Sequence, residues 1–120
     1  MGEESRNKYQ GLQAESGTKS FQNTYLVKML GSEKAAQLQK KYILDINKKL
    51  DKLKIYLKEK DLIEIREIAH KLKGSGEAYG FKEITETGTK LSEYAKRDDY
   101  PGLSKLVQNL ETWLVSIKDG

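Results

Sequence analysis

The residues with the means to do chemistry gather around one imidazole. His70 is the single His among 120 residues, and Arg66, Glu67, Lys71, Lys73, Gly74 and Glu77 stand within two helical turns of it along the chain. An imidazole is largely neutral and nucleophilic near pH 7, so it can take up an electrophilic group and release it again, which a Ser hydroxyl does not do readily. Lys73, three residues on, stands one turn away on the same side and is one of the charges that frame the ring. Gly74 follows at i+4, the position whose side chain would stand beside the imidazole on a helix. A Gly inside a helix costs about 1 kcal/mol relative to Ala, and Gly76 repeats that cost two residues later. Leaving out the Cβ at i+4 clears space in which a second protein can bring its backbone and a bound phosphoryl group close to the ring.

Other chemistries lack their residues. With no Cys there is neither a disulfide nor a thiolate zinc site, and one His cannot build a cluster for a catalytic metal, so no metal ligands are assigned. Gly74-Ser75-Gly76 has neither the spacing nor the following Lys of a phosphate-binding loop, and no bound cofactor is expected. The 22 Lys and Arg against 18 Asp and Glu leave a net charge of +4, with a pI near 9.1. Most of that excess lies in Lys40, Lys41, Lys48, Lys49, Lys52, Lys54, Lys58 and Lys60, on a segment of helical apolar period. It reads as a solvated helix face, suited to an acidic protein partner rather than to nucleic acid. The mean hydropathy is -0.74, and no apolar run approaches the ~20 residues of a membrane span. Neither a membrane partner nor a signal peptide is expected, and the reading is a cytoplasmic protein.

Positioning His70 is the task of the surrounding elements. Residues 1–20 are polar, with Gly11 and Gly17 among Ser, Gln and Asn, and are expected to form a disordered arm, a linker or an expression remnant ahead of one domain over 21–120. Phe21, Tyr25, Leu26, Met29 and Leu30 fall on one side of a short helix that Gly31 ends, and Ser32 is the expected N-cap of the next. Over 35–57, Leu38, Tyr42, Ile46, Leu50, Leu53 and Leu57 recur every three or four residues, with Ile43 beside them. Asp61 and Glu64 resemble a capping box, so a helix starts at Leu62 with Leu62, Ile65, Ile68, Ala69 and Leu72 on its inner face. On that wheel His70 lies roughly 150° from the apolar centre and faces water, with Ile63 on its side as a candidate apolar anchor. Gly80 breaks the chain, Phe81 anchors the entry to a helix over 82–96, and the stripe of that helix, Ile84, Leu91 and Ala95, is thin. Pro101 then opens a last helix through Leu103, Leu106, Val107, Leu110, Trp113, Leu114 and Ile117. No segment alternates with period two. The fold class is all-α, an antiparallel four-helix bundle with an additional short N-terminal helix across one end. Tyr79, Phe81 and Trp113 are expected in core or rim packing, Ser75 to hydrogen-bond back to its own helix, and Gly76 to loosen the helix end.

The stretch Ala69-His70-Lys71-Leu72-Lys73-Gly74-Ser75-Gly76-Glu77-Ala78-Tyr79-Gly80-Phe81 resembles the signature of histidine-containing phosphotransfer (HPt) domains, a His followed by Leu, Lys and Gly at +2, +3 and +4 and a further Gly at +10. The resemblance is specific over about thirteen residues, and the helical pattern extends it more weakly over 21–117. It implies a helical bundle with His70 exposed on one helix as the phosphoryl carrier of a His-Asp phosphorelay, charged by a receiver-domain aspartate and discharged to another receiver. It also implies attack through Nε2 with the proton kept on Nδ1, Lys73 as charge support and Gly74 as steric clearance. Arg66, Glu67, Lys71, Glu77 and Ile63 are the candidate partner-binding residues. The partners implied are response-regulator receivers, with a histidine kinase as a further candidate, and any Mg2+ would be held by the receiver. A monomeric carrier without a catalytic site of its own is expected, free-standing or part of a hybrid kinase. Two alternatives stay open: the phosphate-accepting domain of a chemotaxis-type kinase, and a helical scaffold that carries no phosphate.

Overall fold

The computed structural model describes residues 24–119. The expected arm over 1–20, Phe21 and the side chain of Tyr25 lie outside the described residues. Five α-helices and one 3-10 turn follow in order: α1 (Thr24–Leu30), α2 (Ser32–Glu59), α3 (Leu62–Ser75), the 3-10 turn (Glu77–Tyr79), α4 (Lys82–Lys96) and α5 (Tyr100–Asp119), with no strand among the described residues. Helices α2 to α5 form a four-helix bundle in which each packs on its sequence neighbour and α5 closes the ring against α2, while α1 lies on α2 near the 3-10 turn. The 28 residues of α2 rise about 42 Å, close to the 46 Å long axis of the molecule.

The long helices are joined by a device that recurs. Lys60 adopts a left-handed conformation with φ 57°, its N–H donating to the Leu57 carbonyl, while the Asp61 N–H reaches back to Tyr56. Asp98, φ 55°, does the same with Ala95, and Asp99 with Tyr94. Each pair is a Schellman ending formed without Gly. The next Asp then caps the helix it introduces: Asp61 accepts from the Glu64 N–H at 3.2 Å and Asp99 from the Gly102 N–H at 3.0 Å. The expected Ser32 cap is not formed. Gly31, at φ 87°, occupies the cap position with no side-chain bond, closing α1 onto Val27 and offering its carbonyl to the Ala35 N–H, so Ser32 is already helical.

Leu50 and Leu53 of α2, Ile65 and Leu72 of α3, Ile84 and Leu91 of α4, and Leu103 and Leu110 of α5 fill the core with Phe81. Full burial of such a side chain contributes about 1.5–3 kcal/mol. Leu57 and Leu62 are half-buried against it. Leu38 is exposed, contrary to its place in the predicted stripe. Gln39, only 4% exposed, is turned inward instead, because its amide donates at 2.7 Å to the Tyr79 carbonyl, which needs a partner there. On α1 Leu26 is buried while Met29 and Leu30 are exposed, so that helix covers the bundle end with a narrower face than its sequence predicts.

Candidate functional site

Asp61 sets the start of α3, and the burial of Ile65, Ile68, Ala69 and Leu72 sets its rotation. The opposite side is thereby turned to water: Ile63, Arg66, Glu67, His70, Lys71, Lys73 and Gly74 are all exposed. Ile63, Arg66, Glu67, His70 and Lys71 line one shallow hollow of about 410 Å³, and Ile63 is 72% exposed at its edge. Lys73 and Gly74 continue the exposed surface one turn beyond His70. Glu77 is exposed but does not lie on α3, which ends at Ser75. Past that point the Gly76 carbonyl accepts from both Tyr79 and Phe81, which tightens the chain into the 3-10 turn. Among the described residues no group of three or more His, Asp or Glu is placed to hold a metal ion.

Three glycines near the site have three different surroundings. A Cβ on Gly74 would meet nothing within 4 Å, so nothing in the fold itself requires its absence. A Cβ on Gly76 would stand 2.5 Å from the Thr85 backbone nitrogen, and one on Gly88 2.5 Å from that of Lys73. Gly76 does not fray the helix as expected. It is buried in helical geometry, its N–H bonds to Leu72 at 3.1 Å, and the missing side chain lets α4 close over the end of α3. Gly88 went unnoticed in the sequence, although its place between Ile84 and Leu91 on the thin stripe of α4 is a legible sign of close helix approach.

Beneath the C-terminal turn of α3 lies a polar and aromatic cluster. Ser75 Oγ donates to the Lys71 carbonyl at 2.7 Å, as expected of a hydroxyl bonding back to its helix. Its one hydrogen is so used, and the Tyr42 hydroxyl, 2.7 Å away, is the donor to Ser75. The Tyr42 ring stacks on Tyr79 at 4.3 Å, and Phe81 packs perpendicular to Trp113 at 5.7 Å. Burial pushes the Tyr42 phenol up to about 12.

This site geometry coincides with a family match. A family model described as Hpt domain matches residues 37–120, well over half of the chain. The chain belongs to the Hpt domain family. No curated protein and no solved structure matches it. The Hpt match takes in α2 from residue 37 and all of α3, α4 and α5, and leaves α1 outside. An Hpt domain has a phosphotransfer role in His-Asp phosphorelay and works with receiver domains and kinases of two-component systems. In this Hpt domain no helix among the described residues is long and apolar enough to cross a membrane.

Proposed function

We propose that His70 is the phosphoryl carrier of this Hpt domain, charged by an aspartyl phosphate on one receiver domain and discharged to a second. The neutral ring attacks phosphorus through the Nε2 lone pair while Nδ1 keeps its proton. An N–P bond forms, the P–O bond of the acyl phosphate breaks, and the receiver aspartate leaves as a carboxylate. The reverse sequence passes the group on. The receiver supplies Mg2+ and the charge that stabilises transfer, and this domain presents one side chain from a rigid helix. Lys73 attracts the phosphoryl oxygens, Arg66, Glu67 and Lys71 meet the partner's polar rim with Glu77 beyond them, and Ile63 is its apolar anchor.

The observation that carries this reading is the open space at Gly74. Its neighbours Gly76 and Gly88 are required by internal packing, whereas Gly74 serves nothing inside the fold and stands one turn from the exposed imidazole. Clearance for an incoming partner accounts for it. Transfer from a phosphorylated receiver in the presence of Mg2+ tests the proposal, with acid-labile, base-stable label followed on the wild type and on His70→Gln. Label on the wild type alone is expected, and label retained by His70→Gln would exclude His70 as carrier. Label obtained only from a kinase ATP-binding domain would assign the domain to a chemotaxis-type kinase, and label from neither donor on folded protein would leave a scaffold.

A further inference from the structure

The C-terminal turns of α3 are weak by sequence. Gly74 and Gly76 are poor helix formers two positions apart at a helix end, where the backbone already lacks intrahelical partners. Yet this segment has to hold Lys73 at a constant angle to His70, since a charge aids transfer only when placed to within about 0.5 Å. The restraint comes from the inner side. A Cβ on Gly88 would stand 2.5 Å from the Lys73 nitrogen, 2.7 Å from the Ala69 carbonyl oxygen and 2.9 Å from Leu72 Cβ. Two of these three atoms are α3 backbone and cannot rotate away, so α4 lies directly against the main chain on either side of His70. One turn earlier on α4, the Thr85 nitrogen would be 2.5 Å from a Cβ on Gly76, and Thr85 Oγ1 accepts the Glu77 N–H at 2.8 Å. The two contacts bracket residues 69–77.

We propose that Gly88 is a positioning residue for phosphotransfer: by allowing backbone contact between α4 and α3, it fixes Lys73 and Gly74 relative to the His70 ring. The proposal rests on His70 being the carrier. A methyl group on Gly88 must shift either α4 or the reactive turn by several tenths of an ångström. A misplacement of about 1 Å can cost up to ~100-fold in rate. Docking is less affected, because Ile63, Arg66 and Glu67 lie in the N-terminal half of α3, outside the bracketed segment, and of the partner-binding residues only Lys71 and Glu77 lie within it.

The experiment compares the wild type with Gly88→Ala, Gly76→Ala and Val107→Ala. Val107 is a buried residue of α5, which packs on α2 and α4, so Val107→Ala loosens the core without touching the α3–α4 contact. Phosphoryl transfer from a labelled receiver is measured as a rate at saturating receiver and, separately, as a receiver affinity, with folding checked by circular dichroism and thermal melting. Gly88→Ala is expected to lower the saturated rate about tenfold while changing receiver affinity less than about twofold, and Gly76→Ala, which presses on the other end of the same turn, to show the same split. Val107→Ala is expected to keep the wild-type rate at comparable or lower stability. Wild-type transfer by Gly88→Ala, or an equal loss of rate in Val107→Ala, would overturn the positioning role and leave His70 as carrier. Absence of label on the wild type would overturn both.

Discussion

Gly74, one residue from the end of α3, and Tyr42 of α2, whose hydroxyl meets that same end at Ser75, answer to different demands. At Gly74 a side chain has open space and a helical backbone to sit on, so Gly74→Leu is expected to leave stability unchanged or to raise it by up to about 1 kcal/mol. The same change should slow transfer from a receiver, because the leucine would fill the room beside His70. Melting curves and labelling rates on one preparation separate the two effects, and a large loss of stability would mean that Gly74 is a packing residue. Tyr42 answers to the interior. Its folded value near 12 lies above the ordinary 10, so the stability it contributes is whole below pH 10 and is lost as the pH rises through 12. The loss amounts to about 3 kcal/mol for complete ionisation. Tyr42→Phe should therefore be less stable by about 1 kcal/mol at neutral pH, through the bond to Ser75, yet should lose less stability than the wild type between pH 10 and 12. Denaturant midpoints at pH 7 and pH 11 check both signs, and parallel pH profiles would show that Tyr42 is not the titrating group.

Helix ends carry the information that keeps α3 in register. Asp61 and Asp99 cap α3 and α5, and each follows a residue held at positive φ, Lys60 and Asp98. A non-Gly residue in the left-handed region costs about 1 kcal/mol. Lys60→Gly and Asp98→Gly should each stabilise the domain, by somewhat less than that amount once the greater freedom of Gly in the unfolded chain is counted. Chemical denaturation of the two variants measures it, and destabilisation at both would mean that contacts such as Lys60 over the Tyr100 ring outweigh the backbone cost. The caps are partly legible: Asp61 with Glu64 spells the capping-box signal, whereas three residues after Asp99 stands Gly102 rather than Glu or Gln. Both left-handed endings escaped notice because the usual sign, a Gly, is missing.

Across the whole molecule the four long helices share one core, and Phe81 is its keystone at the end nearest the site. It is 0% exposed, parallel to Tyr42 at 6.1 Å and perpendicular to Trp113. Phe81→Ala should cost about 3–5 kcal/mol, a large part of the 5–15 kcal/mol typical of a domain, and should broaden or abolish the thermal transition. A loss under 1 kcal/mol would show that the bundle end is not cooperative with the rest. The sequence by itself determined the helices, the core rows of α3 and α5, and the exposure of His70, Lys73 and Gly74, because a 3.6-residue period sets which side of a helix is apolar without reference to any partner. It also specified the family, through the residues around His70. Only the tertiary structure decided that Gln39 goes inward and Leu38 outward, that Gly76 and Gly88 are sites of backbone contact, and that Gly74 is not. Those outcomes depend on which atom of another helix stands opposite, and a Gly has the same letter whether it faces a backbone 2.5 Å away or open water.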